Sequence, residues 1–153
     1  MKTLKQHINE ALKIGKNLSE WSAYSCQPKT IDELKKIIKD RISKEGYNCD
    51  LNDIDTSLIT DMSCLFFDSK FNGDISKWDV SNVKNMFDMF ADSKFNGDIS
   101  NWNVSNVENM GHMFHFSKFN QDISNWEINK DCKVYDMFYR CPIKDEYKPV
   151  LPE

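Results

Sequence analysis

The chain has 153 residues, the length of one domain with room for a stable core. Its 20 Lys and Arg stand against 24 Asp and Glu, a formal net charge of −4, which argues against a nucleic-acid backbone as principal partner because phosphate binding needs clustered cations. No stretch approaches the ~20 consecutive apolar residues of a membrane span, so no membrane partner is expected.

The N-terminus carries Lys2, Lys5, His7, Asn9 and Glu10 and lacks the apolar run of a secretory leader or lipoprotein anchor. A cytoplasmic location is therefore the expectation. Leu4, Ile8, Ala11 and Leu12 recur at helical spacing, and Leu18, Trp21 and Tyr24 follow as an apolar cluster. Two readings stand for this stretch: a further layer of a cap, or a docking helix for a partner. Thr30-Ile31-Asp32-Glu33 is a capping box, with Ile31, Leu34, Ile37, Ile38 and Ile42 following at helical spacing and Gly46 at the end. Residues 1–46 are accordingly expected to form an N-terminal helical cap that covers the open edge of the next segment.

Beyond the cap the chain repeats itself. FNGDISKWDV from Phe71 returns as FNGDISNWNV from Phe95 and FNQDISNWEI from Phe119, each copy 24 residues after the last. A fixed period of this length marks a stack of coils, each burying its apolar face against its neighbours. Backwards, Tyr47, Asp50, Leu51 and Ile54 stand in the columns of Phe71, Asp74, Ile75 and Trp78, and Met62, Leu65 and Phe66 in those of Met86, Met89 and Phe90. Forwards, Val134, Met137 and Phe138 continue the pattern, Cys141 falls in the column of Ser69, Ser93 and Ser117, and Ile143 in that of the Phe residues. Four 24-residue repeats thus span 47–143, and Pro149 and Pro152 mark 144–153 as a short tail.

Within one period, Trp102 and Val104 alternate with Asn101 and Asn103, the signal of a half-buried strand. Val107, Met110, Met113 and Phe114 recur at three and four residues, the signal of a short helical segment, and Asn96-Gly97-Asp98 is turn chemistry. The string F-N-x-D-I-S-x-W-x-V-S-N-V-x-N-M-x-x-M-F resembles the repeat of the BspA-type leucine-rich-repeat proteins, bacterial surface protein repeats of about 26 residues. The resemblance implies a parallel β-solenoid used for binding, commonly on exported proteins, although this chain shows no leader. The expected fold is an α/β solenoid: a leucine-rich-repeat-like right-handed coil of short parallel strands and short helical segments behind an N-terminal helical cap.

Several residue sets invite chemical readings. The five cysteines, Cys26, Cys49, Cys64, Cys132 and Cys141, are odd in number, irregular in spacing and without a C-x-x-C, so neither a disulfide framework nor a zinc site is expected. His112 and His115 lie three apart, but one coil earlier the same positions hold Asp88 and Ala91, and a surface pair is the better reading than a metal site. The column Asp50, Asp74, Asp98, Asp122 could bind calcium, but local Asx-turn bonding is preferred because the beside-lying Gly gives way to Gln121. No cofactor and no metal are expected.

Function is then sought where the repeats vary beside the buried strand residues: Asp53 and Asp55, Lys77 and Asp79, Asn101 and Asn103, Asn125 and Glu127. Parallel stacking turns these into two polar rows, a surface that would read a protein partner, although plain solvent exposure produces the same drift. With no Ser-His-Asp order, HExxH or phosphate loop, no enzymatic activity is expected. The expectation is a non-catalytic protein-protein interaction module, monomeric when free, with an inhibitor or a phage- or host-interaction factor as its attractive forms. The alternative is a structural or accessory component of a larger assembly, such as a phage particle or cell-surface complex.

Overall fold

A computed structural model describes residues 24–152 of the chain. The expectations for Leu4, Ile8, Ala11, Leu12, Leu18 and Trp21 fall outside that range. Helix α1 spans Ile31–Glu45 and begins as its sequence dictates. Thr30 Oγ1 accepts the Glu33 N–H at 3.2 Å, satisfying a donor of the first turn, and the Glu33 carboxylate reaches back past the cap to accept the Lys29 N–H at 2.7 Å. Gly46, at φ 88°, ends the helix in a conformation that a Cβ disfavours. Leu34 and Ile38 are buried against the first coil, with Ile31, Ile37 and Ile42 packed at the margin. The segment before α1 also lies on that coil: Cys26 forms a parallel bridge with Ile54, and Asp55 donates its N–H to the Cys26 carbonyl at 2.9 Å.

The 24-residue period is expressed as a stack of coils, and its core is a set of aligned columns. Phe66, Phe90, Phe114 and Phe138 stack with ring centroids 5.6, 5.6 and 5.7 Å apart. Phe71, Phe95 and Phe119 form a second column at 6.2 and 6.3 Å, and Trp78 and Trp102 stack at 6.5 Å. Each buried tryptophan keeps its indole N–H satisfied on the preceding coil: Trp78 donates to Leu51 O, Trp102 to Ile75 O and Trp126 to Ile99 O, at 2.9 to 3.1 Å. An aromatic strip for carbohydrate is thereby excluded for these residues, which are 4% exposed.

The expected α/β solenoid is not what these residues build. Among the described residues α1 is the only α-helix, a 3-10 turn spans Asp145–Tyr147, and no sheet forms: only isolated parallel bridges occur, such as Asp61↔Asn85, Asn85↔Asn109 and Asn109↔Lys133. The strand signal around each tryptophan fails because its backbone donors are already committed. The Ser76 N–H goes to the Asp74 carboxylate, Lys77 N–H to Asn52 Oδ1, Trp78 N–H to Ile75 O, and Ser81 N–H to the Asp79 carboxylate. Burial still alternates, so the period-two pattern is kept without a ladder.

The helical signal fails for a different reason. In 86–92, Met89 and Ala91 donate to Met86 O and Asp88 O three residues back, while Met86, Asp88, Phe90 and Asp92 donate across to Asn109 O, Gly111 O, Met113 O and His115 O of the next coil. Asp88 and Asp92 take positive φ, 54° and 56°, as do Cys64 and Asp68, His112 and Phe116, and Asp136 and Arg140 in the other coils. Two left-handed residues four apart turn a helical run into consecutive turns, and Asp tolerates that conformation better than most side chains. Met86, Met89 and Phe90 are buried at helix-like spacing in a segment that is not a helix.

Side chains complete the corners. Asp50, Asp74, Asp98 and Asp122 each accept the N–H two residues on, at 2.8 to 2.9 Å, as Asx turns. Asn72, Asn96 and Asn120 form a ladder in which each Oδ1 accepts a backbone N–H one coil later: Asn96, Asn120 and Lys144 respectively.

Candidate functional site

The eight residues of the expected polar rows do not share one environment. Asp53 and Asp55 belong to the junction with the N-terminal segment. The Asp53 carboxylate pairs with Arg41 at 2.9 Å and its carbonyl accepts from Ser25, while Asp55, 5% exposed, accepts from Gln27 Nε2 at 2.6 Å and from the Ser57 N–H at 3.0 Å. Burial pushes the Asp53 carboxyl up, but the hydrogen bonds from Arg41 and Ser25 and the Arg41 charge outweigh it and hold the group below its ordinary range. The other six, Lys77, Asp79, Asn101, Asn103, Asn125 and Glu127, are exposed. Of these, Asp79 and Asn103 accept from Ser81 and Ser105 in Asx turns, and Asn125 donates to Ser100 O. The side chains of Lys77, Asn101 and Glu127 make no hydrogen bond or ion pair among the described residues. Asn125 also lines a shallow polar groove with Asp98, Ser100, Gln121, Asp122 and Ser124.

A second cluster forms on the turn segments of the later coils, where the side chains depart from the repeat. His112 lies between two carboxylates, Nδ1 3.5 Å from Asp88 and Nε2 3.8 Å from Asp136. Its ring meets Tyr135 edge-on at 5.1 Å, lies tilted against Phe87 at 5.5 Å and stacks on His115 at 4.9 Å. His115 stacks on Tyr139 at 5.3 Å, and Tyr139 meets Phe116 at 5.7 Å. The Arg140 guanidinium lies 5.2 Å from the Phe116 ring centroid and 5.6 Å from that of Tyr139, within the range of cation–π attraction. Tyr135, Tyr139 and Phe116 are 50%, 48% and 40% exposed, so the cluster presents aromatic surface to solvent.

Gly111 makes this arrangement fit. Its column holds Ser63, Phe87 and Tyr135 in the other coils, and a Cβ at Gly111 would come within 2.8 Å of several Tyr135 ring atoms. The Tyr135 ring therefore lies over a position with no side chain and approaches Phe87, two coils away, at 6.3 Å. The histidines were visible in the sequence as departures from the repeat, but Tyr135, Tyr139 and Arg140 were not joined to them. Reading each column one coil onward, from His112 to Asp136 and from His115 to Tyr139, is the signal that finds the cluster.

The described residues hold no group of three or more His, Cys, Asp or Glu placed to bind a metal ion. All five cysteines are free. Burial pushes the thiols of Cys26, Cys49, Cys64 and Cys132 up, away from the reactive thiolate. No helix among the described residues is long and apolar enough to cross a membrane.

Stacked, turn-built coils with a helical cap and an exposed, non-repeating aromatic cluster define a repeat protein that offers surfaces. The chain belongs to the family described as "Mycoplasma protein of unknown function, DUF285", whose model matches residues 32–147. This match, with none to a leucine-rich-repeat family and no sheet among the described residues, overturns the resemblance to the BspA-type repeats. No curated protein and no solved structure matches the chain.

Proposed function

We propose that this chain is a non-catalytic protein-binding module. The observation that carries the reading is the gathering of Phe87, His112, His115, Phe116, Tyr135, Tyr139 and Arg140 into one exposed cluster. The coils spend most of their Asp, Asn and Ser side chains on their own turns and on the backbone of neighbouring coils, so the residues that depart from the repeat are the ones free to serve something else. Aromatic residues and arginine dominate the energetics of protein interfaces, because they desolvate large area at low entropic cost. The exposed polar residues Lys77, Asn101 and Glu127 supply a second, weaker contact face.

The test is capture of a partner on the immobilised chain from lysate of the source cells, with two variants beside it. Replacing Tyr135 and Tyr139 with Ser should lose a stoichiometric partner, whereas Lys77→Glu with Asn101→Glu and Glu127→Lys should weaken it. Retention in both variants would contradict binding through either face. Incorporation of the chain into a particle irrespective of both variants would favour the structural role.

A further inference from the structure

The coil stack has a direction. Along 62–68, 86–92 and 110–116 the alternate amides donate forward, Met110, His112, Phe114 and Phe116 giving their N–H groups to Lys133 O, Tyr135 O, Met137 O and Tyr139 O at 2.7 to 3.0 Å, whereas Lys84, Lys94, Glu108 and Lys118 at the flanking corners donate back to the preceding coil. The last coil has no successor among the described residues, and the N–H groups of Val134, Asp136, Phe138 and Arg140 have no acceptor there. Asp136 and Arg140 nevertheless hold φ 49° and 53°, the conformation of His112 and Phe116 at 57° and 53°. The final coil is therefore built as though another followed.

From this we infer that the open end of the stack, the donor row of Val134, Asp136, Phe138 and Arg140, is a docking edge for a coil of the same 24-residue type carried by another polypeptide. An unpaired row of backbone donors is a template for strand-like addition, and the interface that would form continues the one already present three times inside the chain. The row demands acceptors alone, which excludes two copies meeting end to end, since donors would face donors. Head-to-tail stacking of this chain is opposed at the other end, where α1 packs Leu34 and Ile38 into the core of the first coil, although the matching carbonyls of Asp61, Ser63, Leu65 and Phe67 take no donor among the described residues. The C-terminal tail runs along another side of the last coil, Tyr147 O accepting from Ile123 and Asn120 Oδ1 accepting from the Lys144 N–H, and meets this end through Lys148, whose Nζ lies 6.0 Å from the Phe138 ring centroid. The partly buried side chains of Val134 and Phe138 continue the apolar columns to that end. The edge borders the aromatic cluster but does not depend on it, because it consists of backbone.

The experiment is an amide-resolved NMR titration of the full chain with a synthetic peptide of residues 82–94, which carries the acceptor carbonyls Asn85, Phe87, Met89 and Ala91. Shifts concentrated at the amides of Val134, Asp136, Phe138 and Arg140, with hydrogen exchange there slowed, are the expected result, and a scrambled peptide should give none. Phe138→Pro removes a donor that has no partner among the described residues, at a residue whose φ is not positive. It should weaken the peptide about tenfold or more; because it also removes a ring stacked on Phe114 it lowers the thermal midpoint, so the comparison is made at a temperature where the variant is folded. If that variant fails to fold, the wild-type titration decides alone. Saturating peptide without a response at those four amides overturns the inference. So does concentration-dependent self-association of the chain, by sedimentation, that Phe138→Pro abolishes, because the occupant would then be a second copy. Loss of lysate capture in the Tyr135 and Tyr139 variant with an intact peptide response would leave this edge standing, and the reverse would leave the aromatic face standing.

Discussion

At the scale of single residues, the fold rests on side chains with two duties. Trp102 fills the core and donates its indole N–H to Ile75 O, so Trp102→Ala should cost about 3–5 kcal/mol in urea unfolding, from cavity formation together with an orphaned carbonyl. The glycine column is graded along the stack: a Cβ at Gly73 would collide with the Cys49 carbonyl, one at Gly97 meets chiefly the Phe95 ring, and Gln121 stands at the third position. Gly73→Ala should therefore destabilise the fold more than Gly97→Ala, costing about 1–3 kcal/mol in urea unfolding as overpacking against backbone. Asp53 gives a pH signature. Its carboxyl is held below the ordinary value by Arg41 and Ser25 against the cost of burial, so its contribution is present above about pH 3.9 and is lost as the pH falls through the lower, folded-state value. The difference in thermal midpoint between the wild type and Asp53→Asn should be widest near neutrality and close under acid; a difference independent of pH would contradict this assignment.

At the scale of elements, α1 was legible to its caps because a capping box and a terminal glycine act locally, and Thr30→Ala should cost about 1 kcal/mol, read by thermal unfolding. The strands and short helices expected in each coil were not legible correctly. Periodicity reports which side chains are buried, and Trp102, Val104, Met110, Met113 and Phe114 are all buried as their spacing demands. It does not report where the backbone hydrogen bonds go. Here the Asx turns of Asp74 and Asp79 consume donors that a ladder would need, and the positive φ of Asp88 and Asp92 breaks the helical run. The Asp, Asn and Ser residues between the apolar positions carried that information, as a density of turn formers too high for either regular element.

For the whole molecule, the period of 24 residues was plain in the sequence and organises the structure, because identical columns can only be buried against one another in register. The exposed aromatic cluster, the proposed binding surface, was harder to see. Half of its logic is a departure from the repeat, and its members, such as His112 with Tyr135 and His115 with Tyr139, meet only once neighbouring coils are superposed. Asp53 and Asp55 looked like surface positions because nothing in the repeat indicates that the segment containing Cys26 and Gln27 lies over the first coil.

The most direct test of this account is residue-resolved amide hydrogen exchange on the intact chain. A directional stack of turns predicts slow exchange at Met86, Asp88, Phe90 and Asp92 and at Met110, His112, Phe114 and Phe116, with fast exchange at Val134, Asp136, Phe138 and Arg140 and at Asp79 and Asn103 beside the tryptophans. Strong protection at Asp79 and Asn103, or fast exchange at Met86, Asp88, Phe90 and Asp92, would contradict it.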